Sequence, residues 1–95
     1  MNIAMNTEIV GKLRQLLASE DDDSVVRIRE TKIGSACKAR TVLRLSIDMR
    51  EDEDLESEIE AIPFVMNEEL AEQYGTNLVV NYIEEEHAFD VKAAE

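Results

Sequence analysis

The stretch that most restricts what this chain can become is residues 41–49, where apolar and polar side chains alternate without a break from Leu43 onward. Leu43, Leu45, Ile47 and Met49 fall on one side, and Val42, Arg44, Ser46 and Asp48 on the other. A period of two is the signature of a β-strand with one face dry and one face wet. Such a strand needs hydrogen-bonded neighbours and a cover for its apolar face, so the spacing predicts a central strand in a larger sheet. Residues 25–31 offer a second, with Val26 and Ile28 against Arg27 and Arg29.

The cover is foreseen upstream. Residues 2–5 alternate, with Ile3 and Met5 on one side, and predict a short first strand. Asn6 or Thr7 then caps a helix on which Ile9, Val10, Leu13, Leu16 and Leu17 share a face opposite Lys12, Arg14 and Gln15. The acidic run 19–24 ends it. Downstream, residues 55–59 read as an edge strand and 62–66 as a short apolar strand with Pro63 near its start. Asn67 caps a brief helix over 68–74, closed by Gly75. Residues 77–83 carry Leu78, Val80 and Tyr82 on one side and Val79 and Ile83 on the other, which predicts burial on both faces. A turn at 84–87 and a last strand at 88–92 with Phe89 and Val91 complete the pattern. The class is α+β, mainly β, in a single domain covering 1–95.

Charge narrows the partners. A net charge of −12 opposes nucleic acid and anionic membrane surfaces, since phosphate binding needs cations. No run approaches the roughly 18 apolar residues of a membrane span, and the first residues do not resemble a leader sequence. One cysteine forbids an internal disulfide framework, and a free thiol suits the cytoplasm. The acidic run 51–60 lacks the glycine that a calcium-binding loop needs and reads as a solvated connection.

That cysteine, Cys37, lies in Ile33-Gly34-Ser35-Ala36-Cys37-Lys38-Ala39-Arg40, a small-residue loop between two strands. A rigid sheet positions such a loop and its small side chains leave access. Three roles stay open: a metal or cluster ligand, a small semi-buried filler, or a reactive thiol favoured by Lys32, Lys38 and Arg40.

The order of elements resembles the HesB-like, or A-type, family of iron–sulfur cluster biogenesis proteins. The likeness is carried by the capped helix, by Val26-Arg27-Ile28 and by the cysteine loop Ser35-Ala36-Cys37-Lys38-Ala39, where the family usually shows Gly-Gly-Cys-x-Gly. It continues in Pro63-Phe64-Val65-Met66-Asn67-Glu68-Glu69-Leu70, in Val80-Asn81-Tyr82-Ile83-Glu84, where the family shows Asp-Tyr/Phe-Val-Glu, and in Phe89-Asp90-Val91. The resemblance implies a compact β-sandwich of mixed strands with an N-terminal amphipathic helix and one short inserted helix. It implies an iron or iron–sulfur cluster carrier or scaffold role with Cys37 as ligand. The departures are concrete. No cysteine follows Cys37, where the family has Cys-Gly-Cys, and Ala36 and Ala39 stand for loop glycines. A lone thiolate cannot fill a four-coordinate site, so a cluster requires two copies sharing Cys37, with His87 or carboxylates as further, weaker metal ligands.

The charge pattern is the second signal. Arg27, Arg29, Lys32, Lys38, Arg40, Arg44 and Arg50 are seven of the ten cations, and between residues 24 and 47 Glu30 is the single acid. Pairing with the acidic run 51–60 is the favoured account. The alternative is a basic patch of Lys32, Lys38 and Arg40 around Cys37 that receives an acidic partner. No nucleophile–base–acid arrangement is visible, so an enzyme is not expected. The functions foreseen are an iron–sulfur biogenesis protein, with an assembly or acceptor protein as partner or as a homodimer; a divergent domain without any cofactor serving as an interaction or regulatory module; and a single-thiol redox protein.

Overall fold

The computed structural model describes residues 1–34 and 37–94; Ser35 and Ala36 of the cysteine loop, and Glu95, lie outside the described residues. The elements run β1 (Asn2–Ala4), α1 (Thr7–Ala18), β2 (Ser24–Ile33), β3 (Arg40–Met49), β4 (Leu55–Ile59), β5 (Ile62–Met66), α2 (Glu68–Tyr74), β6 (Asn77–Ile83) and β7 (Ala88–Ala93). All seven strands join one mixed sheet in the order β1-β6-β7-β3-β2-β5-β4. The chain is thus α+β with strands dominant. β3 stands fourth of seven, the central place its alternation foretold.

The two-sheet sandwich implied by the resemblance is not how the strands hydrogen-bond. Parallel pairings of β1 with β6 and of β2 with β5 stitch the antiparallel units into one ladder. The sheet curls until β1 faces Ile59, at the end of the other edge strand, across an open 480 Å³ cleft lined by Ile3, Leu78 and Ala94 among others.

Curling gives the sheet an inner and an outer face. Val26, Ile28, Leu43, Phe64, Met66, Leu78, Val80 and Val91 point inward and pack on Ile9, Val10 and Leu13 of α1. Burying a side chain such as Phe64 stabilises by about 1.5–3 kcal/mol. Asn6 caps α1 by accepting a 2.9 Å hydrogen bond at Oδ1 from the Ile9 amide. Asn67 caps α2 in the same way, accepting at 2.7 Å from the Glu69 amide. Gly75 closes α2 at φ +84°, ψ −179°, a region beyond the left-handed helix that is essentially reserved for glycine.

Two expectations are corrected. The apolar face of α1 does not bury all of its leucines: Leu16 is 42% exposed, because α1 packs towards β2 and β6 and leaves the end of β3 part-covered. β6 is not buried equally on its two faces: Leu78 and Val80 are enclosed, while Val79 and Ile83 on the other face are half-buried. No helix is long and apolar enough to cross a membrane.

Candidate functional site: the cysteine hairpin and the basic strands

β2 and β3 pair antiparallel over ten residues each, from Ser24 opposite Met49 to Ile33 opposite Arg40. The connection carries Cys37, which is exposed. Gly34 opens it at φ +97°, and a Cβ there would sit 2.8 Å from the backbone oxygen of Lys38. Only glycine fits that tight approach without strain, so Gly34 shapes the tip that displays the thiol.

The hairpin sorts its cations by register. On the outer face Arg27 is held: its Nε donates to Asp48 Oδ2 at 2.8 Å, Nη1 to Asp54 Oδ1 at 2.9 Å, and Nη2 to Asp54 Oδ2 at 2.6 Å and to the Met49 carbonyl at 2.9 Å. Glu51 lies 3.4 Å away. The Arg27 side chain is 10% exposed and that of Asp54 only 6%. These hydrogen bonds hold the Asp54 carboxyl below its ordinary range. Asp48 is lowered too, first by the Met49 amide and then by Arg27. Arg50 donates to both oxygens of Glu56, at 3.0 and 2.7 Å. Pairing with the acidic run 51–60 therefore accounts for Arg27 and Arg50.

Arg44 behaves differently. It is 9% exposed and lies 3.4 Å from both Asp90 and Glu86, while its buried Nε and Nη2, with Ser46 Oγ, complete no hydrogen bond. Asp48 and Asp90 were missed as partners in the sequence. Each sits at a polar position of an alternating strand, so the register would have revealed them.

The tip cations remain. Among the described residues Arg29, Lys32 and Arg40 are exposed and enter no ion pair, as does Lys38 in the turn. Arg29 and Arg40 share the outer face and Lys32 the inner one. Glu30, the acid best placed to neutralise them, accepts a 2.7 Å hydrogen bond from the Tyr74 hydroxyl of α2, which raises the phenol's pKa.

His87 is not brought to Cys37. β7 pairs antiparallel with β3, Leu43 opposite Val91 and Arg44 opposite Asp90, and the chain before β7 brings His87 into one hollow with Ile47. Ile47 is seven residues along β3 from Arg40, or about 23 Å at the rise of a strand. His87 closes the β6–β7 turn at φ +51°, a conformation that His accepts more readily than most residues. It lines a groove with Leu16, Ile47 and Phe89 instead. Among the described residues no group of three or more His, Cys, Asp and Glu side chains could hold a metal ion.

No protein-family model matches the chain, and no curated protein matches it.

Proposed function

We propose that the chain is a protein-interaction module on a HesB-like scaffold, docking an acidic partner at the β2–β3 tip through Arg29, Lys32, Lys38 and Arg40. One observation carries this reading. In a chain of net charge −12, Arg27, Arg44 and Arg50 are engaged by carboxylates while the tip cations are left to solvent. Rim cations of this kind steer association and select partners by sign of charge. The order of elements and the Cys37 loop support the scaffold assignment, and a cytoplasmic setting suits the free thiol. The test is Arg40→Glu combined with Lys32→Glu. Both side chains are exposed, so the melting temperature should hold while the acidic partner recovered by the wild type is lost. Equal recovery would count against the module.

A second reading rests on the exposure of Cys37 in the β2–β3 connection, which leaves the thiol open to a second copy. Iron or a cluster would then be held between two copies, and His87 of the same chain stands too far off to join. Anaerobic reconstitution with iron and sulfide should give visible-range absorption that Cys37→Ser abolishes. A colourless wild-type protein sinks this second reading and leaves the first untouched.

A further inference from the structure

Of the two large apolar side chains most open to solvent, Leu16 at 42% lines a groove, and Met49 at 47% stands two residues beyond the groove residue Ile47 on the same face of β3. Its floor is the inner face of the end of β3, Leu45 and Ile47, with Val26 and Phe89 beside them and Leu13 and Leu16 of α1 forming a wall. A 240 Å³ hollow there adjoins a 300 Å³ one, and the two share Leu16, His87 and Phe89. Phe89 meets Tyr82 edge-on at 5.0 Å, and Lys12, the one cation on the rim, sits 4.6 Å above the Tyr82 ring.

The chain segments that adjoin this groove at α1 and at His87 are acidic. The α1–β2 connection carries Glu20, Asp21, Asp22 and Asp23, all exposed, and joins Ser24, the pairing partner of Met49. The β6–β7 turn carries Glu84, Glu85 and Glu86, also exposed, directly before His87. Glu86 reaches Arg44 on the outer face of β3 at 3.4 Å, so its carboxylate is turned away from the groove.

We infer that this groove receives a basic amphipathic helix of a partner protein, its apolar stripe on Leu16, Leu45, Ile47, Met49 and Phe89 and its lysines or arginines against the two acidic segments. The occupant is a helix because of where the groove lies. β3 and β7 are interior strands paired on both sides, so no backbone donor or acceptor is free to add a strand. An incoming segment meets side chains only and must satisfy its own backbone, as a helix does. It lies beside α1 on a face that α1 leaves open. The occupant is basic because the adjoining segments hold six carboxylates besides Glu86. The same charges oppose a second copy, which would bring its own six to the contact. This surface is independent of the cationic β2–β3 tip, at the other end of β3.

The probe is a synthetic 18-residue Leu/Lys amphipathic helix, titrated into the intact protein and followed by amide chemical shifts. Shifts should concentrate on residues 13–24, 45–49 and 82–89. Leu16→Ala with Met49→Ala should weaken binding at least five-fold. Both side chains are exposed, so the fold should survive. Glu84→Lys with Glu85→Lys should weaken it by a similar factor and serves as the second variant. A Leu/Glu helix should not bind. The proposal is overturned if oligolysine binds as tightly as the amphipathic peptide, if the shifts fall elsewhere, or if neither double variant weakens binding. It is equally overturned if sedimentation shows a dimer that the Leu16 and Met49 variants dissolve. Because the tip variants Arg40→Glu and Lys32→Glu should leave this binding intact, failure here and failure of the acidic-partner reading are separable.

Discussion

Removing the Asp54 carboxylate should be among the most damaging single changes to this fold. Asp54 accepts two charge-assisted hydrogen bonds from Arg27, at 2.9 and 2.6 Å, and a third from the Glu51 amide at 2.8 Å. With the two side chains 10% and 6% exposed, water cannot replace what is lost. Bonds to charged groups contribute about 1.5–3 kcal/mol each, and stripping one member from a buried pair costs about 3–5 kcal/mol. Asp54→Ala should therefore cost about 3–5 kcal/mol, a large part of the roughly 5–15 kcal/mol that a domain of this size has. Replacing both partners, Arg27→Met with Asp54→Leu, should restore most of that, because no deeply buried charge is orphaned and Asp48 and Glu51, which also lose Arg27, are 43% and 74% exposed and can be solvated. Urea titrations of the wild type, Asp54→Ala, Arg27→Met, Asp54→Leu and the double variant, followed by far-UV circular dichroism, give the cost and close the cycle. pH gives a second arm. The Asp54 and Asp48 carboxyls are depressed in the folded state, so their stabilisation is complete above the unfolded carboxylate value of about 3.9 and is lost as pH falls through the lower folded values. Wild type should lose stability with acidification in that window, and the double variant should lose less. A cost below about 1 kcal/mol for Asp54→Ala, or a flat cycle, would refute the claim that this network is dry and tightly held.

Other expectations follow from the turns and the loop. Glu60 and Ala61 join β4 to β5 with φ of +55° and +63°, so Ala61→Gly should stabilise by about 1 kcal/mol and raise the melting temperature by about 4–8 °C; no rise would deny the strain. Gly34→Ala should cost at least about 1–2 kcal/mol from backbone handedness alone and shift the amides flanking Cys37. Cys37 should react with iodoacetamide in the folded protein about as fast as in urea, and a thiol that reacts only on unfolding would contradict its exposure. His87→Asn, which suits a positive φ, should change stability by less than about 0.5 kcal/mol, read from the urea midpoint.

The local plan of this protein was written in its residues. Period-two alternation over residues 41–49 and helical spacing from Ile9 to Leu17 fix which side chains can share a face. Asn6, Asn67 and Gly75 fix where helices begin and end. These are short-range effects of backbone geometry, and β4, β5, α2 and β6 have the bounds that their spacing predicts. What the spacing left open was decided by which strands became neighbours. Arg27 and Arg29 are equivalent in sequence, yet pairing with β3 and the fold-back of Asp54 bury the first and leave the second in water. Leu13 and Leu16 share one helical face, yet the tilt of α1 covers one and exposes the other. Cys37 and His87 stand at opposite ends of β3 because β7 pairs with it antiparallel. Burial, charge pairing and the meeting of distant ligands depend on contacts between segments far apart in the chain, and no local period encodes which segments will meet.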